Sequence, residues 1–258
     1  MTNLRQVRGI LVERRHTALL VAIVTLFALR PLLGDTEATL FFFSVTPLAL
    51  LLIALSTIQV DDLVGDRARL LVQRRRRRIV GWVLVAFALV ERLVAILAPT
   101  PESRLIGSVC YVFVFGFVTL SLWRSLLKHR DVTSETISMS ISVYLLLGLT
   151  WAMLYAVILA RHPEAINLGA SPISPESPRN ILPICLYFSL TTLSTVGFGD
   201  ITPVTLQARY AAVAEGITGQ FYLAILVARL VGIHMSQPTR QEADTPAHRR
   251  ITGDRHGP

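Results

Sequence analysis

The residues with the clearest chemical potential form the run T-T-L-S-T-V-G-F-G-D at positions 191–200. We call its last six residues, 195–200, the glycine string. Because glycine adopts left-handed backbone angles at little cost, Gly197 and Gly199 allow an alternation of right- and left-handed residues. Such an alternation turns successive carbonyl groups to one side, and Thr195 adds a hydroxyl group to this column of oxygens. Four copies around an axis would replace the water shell of a potassium ion.

The pattern T-x-x-T-x-G-F-G-D, from Thr192 to Asp200, resembles the selectivity filter of potassium channels. The resemblance implies that one set of residues binds K+ through its carbonyl groups and the threonine hydroxyl: Thr195, Val196, Gly197 and Phe198. It also implies that Gly199 and Asp200 complete the outer mouth. A Gly-x-Gly motif alone is only a turn signal, but the apolar spans on both sides favour the filter.

The string departs from the usual filter pattern in two respects. Phe198 stands where tyrosine is usual, and the missing hydroxyl contact behind the filter is worth about 0.5–1.5 kcal/mol. The aromatic pair before the string is Tyr187-Phe188 rather than two tryptophans. These differences concern filter rigidity and inactivation rather than potassium preference. Tyr187, Thr191 and Thr192 are the predicted supports of the filter.

A short helix must position the string. Asn180 is the predicted N-cap and Pro183 suits a first helical turn, which together predict a helix over 181–194. At about 1.5 Å per residue it is roughly 20 Å long, too short for a hydrocarbon core of about 30 Å. A half-helix that enters from outside points its negative end at a dehydrated cation. The proline-rich stretch 161–180 is predicted as an outer loop without helix or sheet.

Long apolar stretches predict an all-α membrane protein. Only 16% of the 258 residues are charged and 52% are hydrophobic, whereas soluble domains carry about 25% charged residues. Six runs are long enough to cross a bilayer as helices. They are Thr17–Leu33, Leu40–Ile58, Ile79–Ala98, Leu105–Leu127, Thr136–Ala160 and Thr205–Ile233. A cleaved signal peptide is the alternative for the first run, but the five later runs favour a retained helix. The string then lies in a re-entrant loop between the fifth and sixth spans.

Basic residues predict the orientation in the membrane. They crowd both tails and the loops 67–78 and 124–130, whereas loops 34–39 and 99–104 hold acidic residues and one arginine. This positive-inside pattern places both termini in the cytoplasm of the cell and the string at the outer face of the plasma membrane. Arg74 to Arg78 could bind nucleic acid, but their place between two spans favours a topology anchor that attracts anionic lipids.

The four spans before the string resemble the layout of voltage-gated channels without their sensor. A voltage sensor needs arginine at every third position of its fourth helix, since each charge couples about 2.3 kcal/mol per 100 mV. Residues 105–123 contain no basic residue, so steep voltage gating is not expected. Glu91 and Arg92 lie in the third span and, as neighbours, do not face each other. Structural pairs with other helices, or a ligand or voltage site, are the two interpretations.

The sixth span contains several candidates for gating or for lining a cavity. Gly219 falls where related channels have a hinge glycine, and close helix packing at Gly216 and Gly219 is an equal interpretation. If Gly219 is the hinge, the helical period turns Gln220, Leu223 and Val227 toward the cavity.

Glu215 is a carboxyl group on an otherwise apolar span, and such groups are functional candidates. We favour a supporting role, hydrogen-bonded behind the filter to Thr191, Thr192 or Tyr187. Cys110 and Cys185 also lie in apolar stretches and are predicted to be buried thiols without a disulfide or a metal site.

The sequence therefore predicts three regions: a four-helix region over 1–135, a pore domain over 136–233 and a short, disordered cytoplasmic tail over 234–258. One chain carries one filter strand, so the resemblance implies a homotetramer that conducts K+ passively, without catalysis and with no cofactor beyond the permeant ions. The high arginine content is typical of a bacterial source. A weakly selective cation channel, a potassium transporter component and a non-conducting membrane anchor or sensor are the alternatives.

Overall fold

The computed structural model describes residues 15–33, 101–128, 133–169 and 181–236, together with helical residues at 79–83, 86–87, 89–90 and 93. Several predictions of the sequence fall outside the described residues. They concern the second span, Arg74 to Arg78, Glu91 and Arg92, Asn180 and the tail from 237 onward.

The described part is mostly helical. Its main helices are α1 (Arg15–Leu33), α2 (Pro101–Leu126), α3 (Ser134–Arg161), α4 (Ile181–Leu193) and α5 (Leu206–Ser236). Their bounds lie close to those predicted for the first, fourth and fifth spans, the short helix and the sixth span. Among the described residues, three helices are long and apolar enough to cross a membrane: Leu105–Leu126, Ser134–Arg161 and Leu206–Gly232. The helix α4 is shorter, as predicted.

Local signals explain where two of these helices begin. The Thr133 hydroxyl accepts a hydrogen bond from the Thr136 N–H at 3.2 Å, which caps α3. Pro183 lies in the first turn of α4, where its missing N–H leaves no helical hydrogen bond unmade.

The helices α1 and α3 begin side by side. The Glu135 carboxylate accepts a hydrogen bond from the His16 N–H at 3.1 Å and one from the Thr17 hydroxyl at 2.7 Å. Glu135 thereby accepts from an N–H of the first turn of α1, where the helix itself offers no acceptor.

Close packing joins α3 to its neighbours. The Thr119 and Thr150 hydroxyls lie 3.3 Å apart between α2 and α3. A Cβ atom at Gly148 would lie 2.8 Å from Leu190 Cδ2, so α4 approaches α3 closely at this glycine. Such contacts matter because lipid gives apolar helices no hydrophobic reason to associate. Cys110 and Cys185 are buried, as predicted.

The loop after α3 corrects one prediction. Strand β1 (Ile166–Asn167) pairs antiparallel with strand β2 (Thr202–Pro203), directly after a 3₁₀ turn at Pro163–Ala165. The prediction of a loop without helix or sheet is therefore wrong at these residues. Their partner strand lies beyond the glycine string, and a pairing over that distance leaves no local signal in either segment. The pairing ties the outer end of α3 to the segment that follows the string.

Candidate functional site

Along the glycine string, residues with positive and negative φ angles alternate. The φ angle is 60° at Thr195, 49° at Gly197 and 78° at Gly199, and the residues between them have negative φ. The expectation that both glycines take left-handed angles is confirmed. The left-handed angle of Thr195 was not predicted, since this region is rare for a β-branched residue.

The end of α4 holds the string through main-chain hydrogen bonds. The Thr195 N–H donates to the Thr192 carbonyl at 3.0 Å, and the Gly197 N–H donates to the Thr191 carbonyl at 3.1 Å. The last carbonyl groups of a helix have no partner within it, and the string satisfies two of them. Thr191 and Thr192 therefore contact the string through their backbones.

Tyr187 contacts the other end of the string. Its hydroxyl donates a hydrogen bond to Asp200 Oδ2 at 2.8 Å, and its ring stacks on Phe198 with 6.4 Å between centroids and 7° between planes. The hydrogen bond to Asp200 raises the pKa of Tyr187 above its ordinary value. An aromatic side chain of α4 thus lies behind both residues.

Gly169 supports the string from the loop after β1, and the sequence analysis missed it. Its φ is 62°, and a Cβ atom there would lie 2.5 Å from the Asp200 carbonyl oxygen. Both the backbone angle and the space therefore require glycine. A single glycine in a proline-rich loop does not reveal such a contact, because the contact is made with a residue far along the chain.

The helix α5 packs closely against the end of α4 at Gly219. A Cβ atom at Gly219 would collide with the Leu193 carbonyl oxygen and would lie 3.0 Å from Leu193 Cδ1. At Gly216 the nearest atom, the Thr192 carbonyl oxygen, would be 3.9 Å away. This geometry favours the packing interpretation at Gly219, and the hinge stays a prediction.

Glu215 is fully buried between α3, α4 and α5. Tyr155 on α3 donates a hydrogen bond to Glu215 Oε2 at 2.7 Å, and the Ser189 hydroxyl of α4 lies 2.5 Å from Oε1. The expected partners were wrong: the Thr191 hydroxyl bonds within α4 and the Tyr187 hydroxyl bonds Asp200. Sequence alone does not tell which helix a polar side chain faces, which is why Tyr155 and Ser189 were missed.

The remaining candidates on α5 lie on its uncovered side. Gln220 is exposed in the protomer, and so are Leu223 and Val227. The buried positions Glu215, Gly219 and Tyr222 follow one another at the spacing of a single packed helix face.

The second half of α5 also contacts the helices α2 and α3. The Tyr222 hydroxyl donates to the Ser140 carbonyl at 2.6 Å, and its ring meets Trp123 edge to face at 6.0 Å. Further along, the Arg229 guanidinium donates to the Leu126 carbonyl at the end of α2. Sequence analysis gave no sign of these contacts.

A family model and one of the similar proteins indicate the same class, an ion channel. Residues 143–235 match a family model described as "Ion channel". The chain is 32% identical over 131 residues to protein LctB of Bacillus caldotenax, which covers 95% of that protein and 50% of this chain. It is 32% identical over 121 residues to protein LctB of Geobacillus stearothermophilus, with coverages of 87% and 46%. It is 48% identical over 73 residues to the potassium channel protein kcv of Paramecium bursaria Chlorella virus 1, with coverages of 77% and 28%. No solved structure matches the chain significantly.

Proposed function

Because the chain belongs to the potassium channel superfamily, we propose that it conducts K+ passively and selectively through a filter formed by the glycine string. The ion-channel family model spans residues 143–235, which include the string. The viral relative is by its name a potassium channel protein. We assign the ion ligands to the carbonyl groups of Thr195, Val196, Gly197 and Phe198, with the Thr195 hydroxyl.

The observation that carries the proposal is the alternating hand of the string, held by the end of α4. A left-handed threonine costs about 1–3 kcal/mol and persists only where the surroundings enforce it, and such strain clusters at functional sites. Here the surroundings are the hydrogen bonds from Thr195 and Gly197 to α4. A strand of this kind offers oxygens in place of the hydration water of an ion.

The proposed channel is a homotetramer. One protomer supplies one strand, and closing a cage of oxygens around an ion takes four. Two apolar side chains of the string are exposed in the protomer, Val196 by 53% and Phe198 by 70%. The helix α5 has an uncovered apolar face as well, with exposed side chains at Tyr210, Val213, Ile217 and Phe221. Neighbouring subunits would cover these surfaces, and Gln220, Leu223 and Val227 would line the cavity below the filter.

In the proposed topology the chain crosses a bacterial plasma membrane six times. Both termini then lie in the cytoplasm, and the string lies near the outer face. The adjacent starts of α1 and α3 at Glu135 support this topology, since both helices are predicted to begin at the cytoplasmic side. We propose the regions 1–135, 136–233 and 234–258 as the four-helix region, the pore domain and the tail, and we propose that Arg74 to Arg78 attract anionic lipids. Without sensor arginines, conduction would not depend steeply on voltage.

A flux assay with a matched pair of glycine variants tests the proposal. The purified protein in liposomes should pass K+ down its gradient and pass Na+ far more slowly. In the protomer, a Cβ atom meets nothing within 4 Å at Gly197 or at Gly232. Gly197→Ala should abolish K+ flux because alanine resists the φ of 49°. Gly232→Ala, on α5 without a positive φ, should conduct as the wild type does.

Equal flux of the two ions would favour the weakly selective cation channel. No flux from a correctly assembled protein would refute conduction itself.

A further inference from the structure

The hydrogen bonds around Glu215 can be compared with the number of protons available to form them. The Ser189 hydroxyl oxygen lies 2.7 Å from the Gly148 carbonyl oxygen and 2.5 Å from Glu215 Oε1. A serine hydroxyl has one proton to donate, a carbonyl oxygen has none, and an ionised carboxylate only accepts. A proton shared between two acceptors makes two bent and weakened hydrogen bonds, so Ser189 cannot supply a good hydrogen bond at both of these short distances.

If the Glu215 carboxyl group carries a proton, in addition to the proton of the Ser189 hydroxyl, both short distances are explained. The carboxyl O–H then donates to the Ser189 oxygen, and the Ser189 O–H donates to the Gly148 carbonyl. Tyr155 donates to the other carboxyl oxygen, Oε2. An ionised carboxylate would instead leave one pair of oxygens at hydrogen-bond distance without a proton between them, and that pair would repel.

We infer that Glu215 is a neutral carboxylic acid whose proton is donated to Ser189, and that this hydrogen-bond chain positions α4 behind the filter. The protonation of Glu215 does not depend on the proposed function, whereas its role behind the filter rests on that function. Glu215 is a positioning residue, because it touches neither the ion nor the string.

The chain reaches the filter through α4. Ser189 lies two residues before Thr191, whose carbonyl accepts the Gly197 N–H of the string. The Ser189 hydroxyl of α4 is hydrogen-bonded to the Gly148 carbonyl of α3 and to the Glu215 carboxyl group of α5. One proton thus links three helices at the level where the string is held.

Among the residues that the structure describes, no positively charged group faces Glu215. The titratable groups that face it from the helices packed around it are Tyr155 and Tyr144 of α3, with Cys185 of α4 beside Tyr155. None of these groups supplies a positive charge. Arg229 belongs to the contact with α2, 14 residues along α5 from Glu215, or about 21 Å at the rise of an α-helix. A buried charge without a partner is strongly disfavoured.

Infrared spectroscopy of the full-length protein in lipid tests the proton directly and does not require conduction. At neutral pH the wild type should show the carbonyl stretch of a protonated carboxyl group, and Glu215→Gln should lack it. Ser189→Ala should shift this band, because the acid loses its acceptor. The control Glu164→Gln replaces an exposed acid and should leave the band unchanged. If wild type and Glu215→Gln do not differ in this band, Glu215 is ionised and the inference fails even if the protein is a potassium channel.

Flux measurements test the positioning role. A glutamine amide can donate to Ser189 and accept from Tyr155, so Glu215→Gln should keep K+ flux and selectivity. Glu215→Leu removes both bonds and should lower the conducting fraction roughly tenfold, the equivalent of one to two hydrogen bonds. Ser189→Ala should also lower the conducting fraction, whereas Ser142→Ala should not, because the buried Ser142 hydroxyl donates to the Ser138 carbonyl of its own helix.

Raising the pH gives the sharpest comparison. As the infrared band of the wild type disappears, its conducting fraction should fall over the same pH range. The conducting fraction of Glu215→Gln should stay constant over that range. Loss of the band without loss of conduction would overturn the positioning role, as would a glutamine variant that behaves like the leucine variant.

Discussion

Replacing Gly219 by alanine is expected to push α5 away from α4, whereas the same change at Gly216 is expected to be tolerated. The new methyl group at Gly219 would collide with the Leu193 carbonyl oxygen, which belongs to the backbone and cannot rotate away. At Gly216 the nearest atom lies 3.9 Å from the added carbon, an ordinary van der Waals distance. The two glycines share one helix, so each variant is the control of the other.

The expected magnitude follows from two terms. Alanine favours a helix over glycine by about 1 kcal/mol, and this gain is common to both variants. Overpacking costs about 1–3 kcal/mol and falls on Gly219→Ala alone. The free energy of unfolding should therefore be lower in Gly219→Ala than in Gly216→Ala by about 1–3 kcal/mol. For a chain of this size the difference corresponds to roughly 2–12 °C in melting temperature.

Thermal unfolding of the two variants in the same detergent measures this difference, and K+ flux in liposomes reports its effect on the pore. Reduced flux in Gly219→Ala should accompany the lower melting temperature, because the displaced end of α4 holds the string. A Gly219→Ala protein as stable as Gly216→Ala would refute the packing argument. If that stable Gly219→Ala variant also passed less K+, the hinge interpretation would replace the packing interpretation.

Three further changes probe other contacts of the site. Tyr187→Phe removes the hydrogen bond to Asp200, so the variant should lose conduction faster during sustained recording while the ratio of K+ to Na+ currents is kept. Gly169→Ala pushes a methyl group toward the Asp200 carbonyl and forces alanine to a φ of 62°, so its K+ flux should fall. Tyr222→Phe removes the hydrogen bond from the Tyr222 hydroxyl to the Ser140 carbonyl and should lower the free energy of unfolding by about 1 kcal/mol, measured by thermal melting, with ion selectivity unchanged.

The sequence predicted the parts of the site that depend on local chemistry. Apolar length gave the helices α2, α3 and α5, and proline placement gave the start of α4. The glycines at 197 and 199 indicated the left-handed angles that the structure has there. Each of these signals is contained within one stretch of chain, because backbone sterics and helix length act over a few residues.

The sequence did not predict contacts between distant segments. The pairing of β1 with β2 joins residues on the two sides of the string, and the partners of Glu215 come from two other helices. In a protein of apolar helices the faces look alike, so periodicity does not say which helix a buried acid meets. The strained angle of Thr195 is likewise imposed from outside, by hydrogen bonds to α4.

The reversal potential of a planar bilayer with K+ on one side and Na+ on the other tests the central claim most directly. Selective conduction through the carbonyl groups of 195–198 predicts a reversal potential far from zero, with the sign of a potassium-selective pore, in the wild type and in Gly232→Ala. A reversal potential near zero for the assembled wild-type protein would contradict the account.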